Sequence, residues 1–153
     1  MSRFDQQLAA LVSRVRGLCT VFATDKDGVL LSSGRHVPSY SANALAAAPG
    51  FSQESLAALY EGLFSAAFAM AADQSSKLGI GANKSITAFY KGFVVVHVNF
   101  HPLVLSFVFS AENEDVESAV LPVGLVHDIV PMVKEILKPV LLRVQQELAS
   151  VAS

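Results

Sequence analysis

The sequence predicts an α+β fold: a five-stranded antiparallel sheet with helices on both faces, in the order α-β-β-α-β-β-β-α. Three observations predict it. Short runs rich in β-branched and aromatic residues are punctuated by Asp27-Gly28, Lys91-Gly92 and the Asn99–Pro102 stretch. Runs of helical period open the chain, close it, and separate the second strand from the third. A length of 153 residues suits one domain, taken as 1–153, that buries a core without disulfides, since Cys19 is the single cysteine.

Residues 4–16, FDQQLAALVSRVR, place Phe4, Leu8, Leu11, Val12 and Val15 on one helical face, and Gly17 follows as a stop. LCTVFAT (18–24) and VLLSS (29–33) read as strands joined across Asp25-Lys26-Asp27-Gly28, a strong hairpin signal. That turn imitates the opening of a calcium loop. The twelfth position counted from Asp25, however, is His36 where a glutamate is needed. Cys19 lies in the first of these apolar runs and reads as a buried structural thiol.

Residues 34–51 are rich in Gly, Pro, Ser and Ala, lack a period, and read as a long loop. Ser52 then offers a helix N-cap. Leu56, Leu59, Tyr60, Leu63, Ala67, Met70 and Ala71 form the stripe expected to face the sheet. The other side carries Ala58, Ser65, Ala69, Ala72 and Ser76, with Phe64 and Phe68 on its flank. No charge appears from Gly62 to Ala72. A helix without a charged side is either enclosed by its own domain or held between its sheet and a second chain. In a chain with few helices to cover it, the second reading is favoured.

SKLGIGANKS (76–85) resembles a phosphate loop, but that loop needs glycine before its lysine, and Asn83 stands there. Its order is also reversed, because a helix enters the segment and a strand leaves it. A helix C-terminus repels anions, so Gly79 and Gly81 read as cap and turn residues. NKSITAFY (83–90), FVVVHVN (93–99) and LVLSFVFS (103–110) follow as strands. The last is almost continuously apolar, as a central strand covered on both faces would be. Residues 93–110 lack Asp, Glu, Lys and Arg, but Asn99-Phe100-His101-Pro102 breaks them into two strands and argues against a membrane span. AENEDVES (111–118) reads as an acidic loop. From about Gly124 the helical period returns through Ile129, Val133, Ile136, Leu137, Val140, Leu141, Val144 and Leu148, with Pro131 near the helix start and Pro139 as a kink.

A formal charge of −2 leaves no basic footprint for nucleic acid. The start, MSRFDQQL, carries no secretory signal or myristoylation glycine. His97 and His101 are too far apart along an extended strand to share a metal ion, and no nucleophile–base or paired-carboxylate pattern stands out. The expectation is therefore no enzyme, no metal and no cofactor. Only 16% of residues are charged, and the mean hydropathy is +0.47, apolar enough to suggest an obligate partner.

The segment 71–110 carries an Asp73-Gln74, Ser76-Lys77-Leu78-Gly79 run and then Asn83-Lys84-Ser85. It continues with paired aromatics at Phe89-Tyr90 and the strand Leu103 to Phe107. In these residues the chain resembles the mitogen-activated protein kinase scaffold subunits of the Ragulator complex, within the roadblock superfamily. It departs from them in a longer 34–51 loop and a 111–128 insertion. The resemblance implies a roadblock/profilin-like sandwich and a non-catalytic scaffold that heterodimerises with a second roadblock-family subunit through its middle helix and third strand. It further implies late endosomal or lysosomal membranes reached through partners, and the docking of Rag GTPases, the target-of-rapamycin kinase complex and a mitogen-activated kinase cascade member. The expected partner contacts are Phe64, Phe68, Ala69 and Ala72 from the helix, and Ser85, Ile86, Thr87 and Ala88 from the strand. The alternatives are a homodimeric roadblock regulator of a small GTPase and a PAS-like or GAF-like sensor of a small ligand.

Overall fold

Ser2 starts the first helix, α1 (Arg3–Arg14), with a reciprocal cap. Its hydroxyl accepts the Asp5 amide at 3.1 Å, and the Asp5 carboxylate accepts the Ser2 amide at 2.9 Å. The computed structural model describes residues 2–15, 17–35, 66–90, 93–110 and 116–152. After α1 come β1 (Leu18–Asp25) and β2 (Leu30–Arg35), a helical segment α2 (66–76), and the strands β3 (Ser85–Tyr90), β4 (Phe93–Phe100) and β5 (Leu103–Ser110). The last helix is α3 (Val116–Ala152). The strands form one antiparallel sheet in the order β2-β1-β5-β4-β3. The continuously apolar β5 is its centre, as the sequence predicts.

Strand alternation sorts the side chains onto two faces. On one face Val21, Ala23, Val94, Val96, Val98, Leu105, Phe107 and Phe109 share a core with Leu8, Leu11 and Val12 of α1 and Val126, Val133 and Leu137 of α3. On the other, Phe22, Val95 and Val108 form a smaller cluster with Leu30 beside it. His97 shares that second face, and the ring of Phe68 from α2 lies 5.6 Å from its imidazole. Helices therefore cover both faces, the α+β layering expected from the sequence.

The hairpin between β1 and β2 forms where expected. Asp25 Oδ1 accepts the amides of Asp27 and Val29, both at 2.9 Å, and Gly28 takes a positive φ of 86°. Local hydrogen bonds thus occupy the carboxylate that a calcium loop would use. Cys19 is buried.

Two boundaries differ from the expectation. Gly34, read as the first residue of a loop, lies inside β2 opposite Val21. It is buried under α1, where a Cβ would overlap the backbone of Leu8 and Ala9. The glycine marks a close helix–strand approach rather than a break in the strand. The rest of the 34–51 loop, the Ser52 cap and the stripe from Leu56 to Leu63 lie outside the described residues. The final helix begins at Val116 rather than near Gly124, so the end of the acidic run is helical and Pro131 sits well inside α3. Pro131 and Pro139 both face solvent. There the carbonyls four residues earlier, which have lost their amide donors, can bind water instead. No helix of the described residues is long and apolar enough to cross a membrane.

Asp5 also ties α1 to the sheet. Its Oδ1 accepts the Ser32 hydroxyl at 2.7 Å and the Ser33 amide at 2.9 Å. Burial alone would raise this carboxyl, but the bonds from Ser33, Ser32 and Ser2 outweigh burial and hold its pKa at about 2. The folded pKa lies below the ordinary value of 3.8, so the stabilisation is present above that pH and is lost as pH falls through about 2. Asp5→Asn should lower stability at pH 7 and shrink the difference between pH 7 and pH 2.5, as read by urea unfolding at both. An unchanged difference would remove Asp5 from the acid response.

Candidate partner interface

Phe68 sets the orientation of α2. It is 6% exposed, over His97, and Ala71, Ala72 and Ser75 follow it at helical spacing as half-buried positions. This line, one turn after another, is the face turned to the sheet. Ala66, Ala67, Ala69 and Met70 point outward, Met70 with 71% of its surface exposed. The expected assignment of Ala67 and Met70 to the inner stripe is therefore corrected. A helix apolar all round gives little periodic contrast, and the phase is fixed by burying the larger phenylalanine ring on the sheet.

Beneath Phe68, His97 Nδ1 lies 2.8 Å from the Ser106 hydroxyl across the β4–β5 pair. Burial lowers the His97 pKa to about 4, so the ring is neutral at pH 7. The unfolded chain takes up this proton near 6.5 and the folded chain only near 4. Stability is complete above the upper value and is lost as pH falls between the two. The loss should be on the order of 3 kcal/mol. His97→Gln, which keeps a partner for Ser106, should flatten stability between pH 7 and pH 4.5 in chemical denaturation. An equal slope in both proteins would refute the assignment.

The helix ends in a short turn. Asp73 and Lys77 form an exposed i,i+4 ion pair at 3.5 Å, and Gly79 and Gly81 have φ of 70° and 98°. The segment is thus a helix exit leading into β3, and its geometry is not that of a phosphate cradle. Leu78 and Ile80 project from it with 69% and 83% of their surface exposed.

β3 is an edge strand. It pairs with β4 through Ile86↔His97 and Ala88↔Val95, and among the described residues nothing pairs with its other side. The Asn99 amide donates to the Lys84 carbonyl at 2.9 Å, so by antiparallel alternation Ile86 and Ala88 also bond inward. The amides and carbonyls of Ser85, Thr87 and Phe89 then face the open edge. Ser85, Ile86, Thr87 and Ala88 are all half-buried, whereas Phe89 is 54% exposed.

Of the residues proposed from sequence, Ser85, Ile86, Thr87 and Ala88 lie on the edge strand, Ala69 lies on the outward side of α2, and Ala72 lies on its half-buried, sheet-facing line. Phe68 is turned into its own sheet, and Phe64 lies outside the described residues. Met70, Leu78, Ile80 and Phe89 were missed. Leu78 and Ile80 did leave a signal, being bulky apolar residues on either side of Gly79 in a turn, where polar residues are the rule. Among the described residues no group of three His, Cys, Asp or Glu is placed to hold a metal ion.

Residues 2–140 match the family model described as "Mitogen-activated protein kinase kinase 1 interacting". The chain belongs to this family. It is 35% identical over 126 residues to the mouse protein named Ragulator complex protein LAMTOR3, a match covering 82% of this chain and 86% of that one. The zebrafish protein of the same name is 33% identical over 124 residues, covering 80% and 82%. Among solved structures, Myxococcus xanthus MglB has a TM-score of 0.59 at 14% identity, covering 94% of this chain and 98% of that one. The gliding protein MglB of Thermus thermophilus has a TM-score of 0.57 at 15% identity, covering 96% and 94%. At these identities the likeness extends to the fold alone. It places this member of the MAPKK1-interacting family on the same α+β scaffold.

Proposed function

We propose that the chain is a non-catalytic scaffold subunit that pairs with a second roadblock-family chain through α2 and the free edge of β3. One observation carries the reading: β3 leaves amides and carbonyls on an open edge, and α2, seated through Phe68 over the neighbouring strand β4, turns the uncharged Ala66, Ala67, Ala69 and Met70 outward. An exposed edge invites strand addition, and small residues let two helices approach closely. The β3 edges of two such chains would join their sheets into one, with Ala69, Met70 and their equivalents packed between the helices. Half-buried Ala72, on the side of the sheet-facing line nearest Ala69, and Ser85, Ile86, Thr87 and Ala88 are the remaining contacts.

The family relationship extends the proposal. The relatives are named as Ragulator complex proteins, so the pair is proposed to belong to a Ragulator-like assembly on late endosomes or lysosomes, held at the membrane by its partners. There it would present a composite surface to Rag GTPases and support target-of-rapamycin and mitogen-activated kinase signalling. The mechanism is geometric, since the docking surface exists only once two chains combine.

Light scattering on the purified chain, alone and mixed with a candidate roadblock subunit, tests the proposal. A 1:1 heterodimer is expected. A monomer with no affinity for any such subunit would overturn the reading, and a stable dimer of the chain with itself would favour a homodimeric form.

A further inference from the structure

α3 keeps its inward apolar stripe after its own sheet has run out. At 37 residues it is about 55 Å long, twice the roughly 27 Å of an eight-residue strand. Val133 and Leu137 are fully buried and Val140 and Val144 half-buried, yet Leu148 is 47% and Val151 85% exposed. Their spacing of three and four residues is that of one helical face, so the last two belong to the same stripe as the core residues. There the stripe overhangs the β1–β2 turn and Pro102, and a cleft of about 280 Å³ lies between them. Val144, Leu148, Val151, Leu31 and Pro102 give this cleft its apolar surface, and Asp25, Asp27 and Glu147 set three carboxylates around it against the one ammonium of Lys26.

We infer that this cleft is a docking site for a short amphipathic helical segment of another protein, apolar on one face and lysine- or arginine-rich on its flanks. The apolar stripe specifies the inserted face, and the excess of carboxylates specifies the flanking charge. A second copy of this chain fits poorly. A two-fold contact would set the same three carboxylates against their own equivalents. The cleft lies at the hairpin end of the sheet and involves none of the residues proposed for roadblock pairing, so the two readings stand or fall separately.

The probe is a synthetic peptide of about 18 residues with leucine at helical a and d spacing and lysine elsewhere, followed by fluorescence anisotropy against the full chain. A second peptide carries glutamate in place of every lysine. Wild type should bind the lysine peptide at least about tenfold more tightly than the glutamate peptide, and Leu148→Asp should weaken that binding by at least about tenfold. This loss is diagnostic, because the added carboxylate would strengthen any purely electrostatic attraction to lysine. Leu125→Asp makes the same charge change at an exposed position outside the cleft and should leave binding unaltered. Thermal unfolding of each variant controls for misfolding. Equal binding of both peptides, no binding, or equal effects of the two Asp variants would overturn the assignment. So would sedimentation data in which wild type self-associates and Leu148→Asp disperses it.

Discussion

Ala69→Arg should weaken binding to a second roadblock subunit by at least about a hundredfold, since it sets a charged side chain at a close helix–helix contact. Ala69 is exposed on the outer face of α2, so in the isolated chain the arginine extends into water and the fold is spared. In the proposed pair the same position faces another helix about 8–10 Å away, where a guanidinium must either lose its hydration or force the helices apart. Isothermal titration with the partner subunit measures the affinity. Thermal unfolding of the chain alone should shift by no more than about 2 °C. Wild-type affinity in the variant would remove α2 from the interface, while a large loss of thermal stability would mean that α2 is oriented differently.

Gly34→Ala should destabilise the fold by about 2–3 kcal/mol, the usual cost of forcing extra volume into a packed site. The methyl group would point at the backbone of Leu8 and Ala9, and backbone cannot move aside as a flexible side chain can. Relief requires α1 to lift from β2, which stretches the Asp5 bonds to Ser32 and Ser33 and opens the core around Leu8. For a chain of this size the melting temperature should fall by roughly 4–12 °C. Urea denaturation checks the free energy directly. A neutral result would show that helix and strand can separate without loss, contrary to the packing described.

Most of the architecture was legible because strand and helix periods differ and the sheet is buried. The unbroken apolar run of β5 identified the central strand. Asp27-Gly28 located a hairpin, and Gly79 and Gly81 a turn, by backbone chemistry alone. What the sequence obscured has physical causes. Gly34 carries the mark of a breaker, yet its role is to admit a neighbouring backbone, which becomes visible only once α1 is docked. Pro131 suggested a helix start, but a solvent-facing proline is tolerated within a long helix, so α3 was expected too short. On α2, Ala67 and Met70 were placed inward because a helix without polar residues carries no phase information. The bulk of Phe68 decided the phase. The third strand was expected to meet a partner, but the exposure of Met70, Leu78, Ile80 and Phe89 was not, since exposure depends on which strands end up outermost.

The placement of β5 bears on how the polypeptide acquires its shape during synthesis. Leu18 and Phe109 lie in register on neighbouring strands although most of the chain separates them in sequence. The first hairpin must therefore wait, its inner flank unzipped, until the ribosome has delivered the strand that fills the gap beside it. Such distant pairing slows folding and prolongs the exposure of apolar segments that other nascent chains can capture.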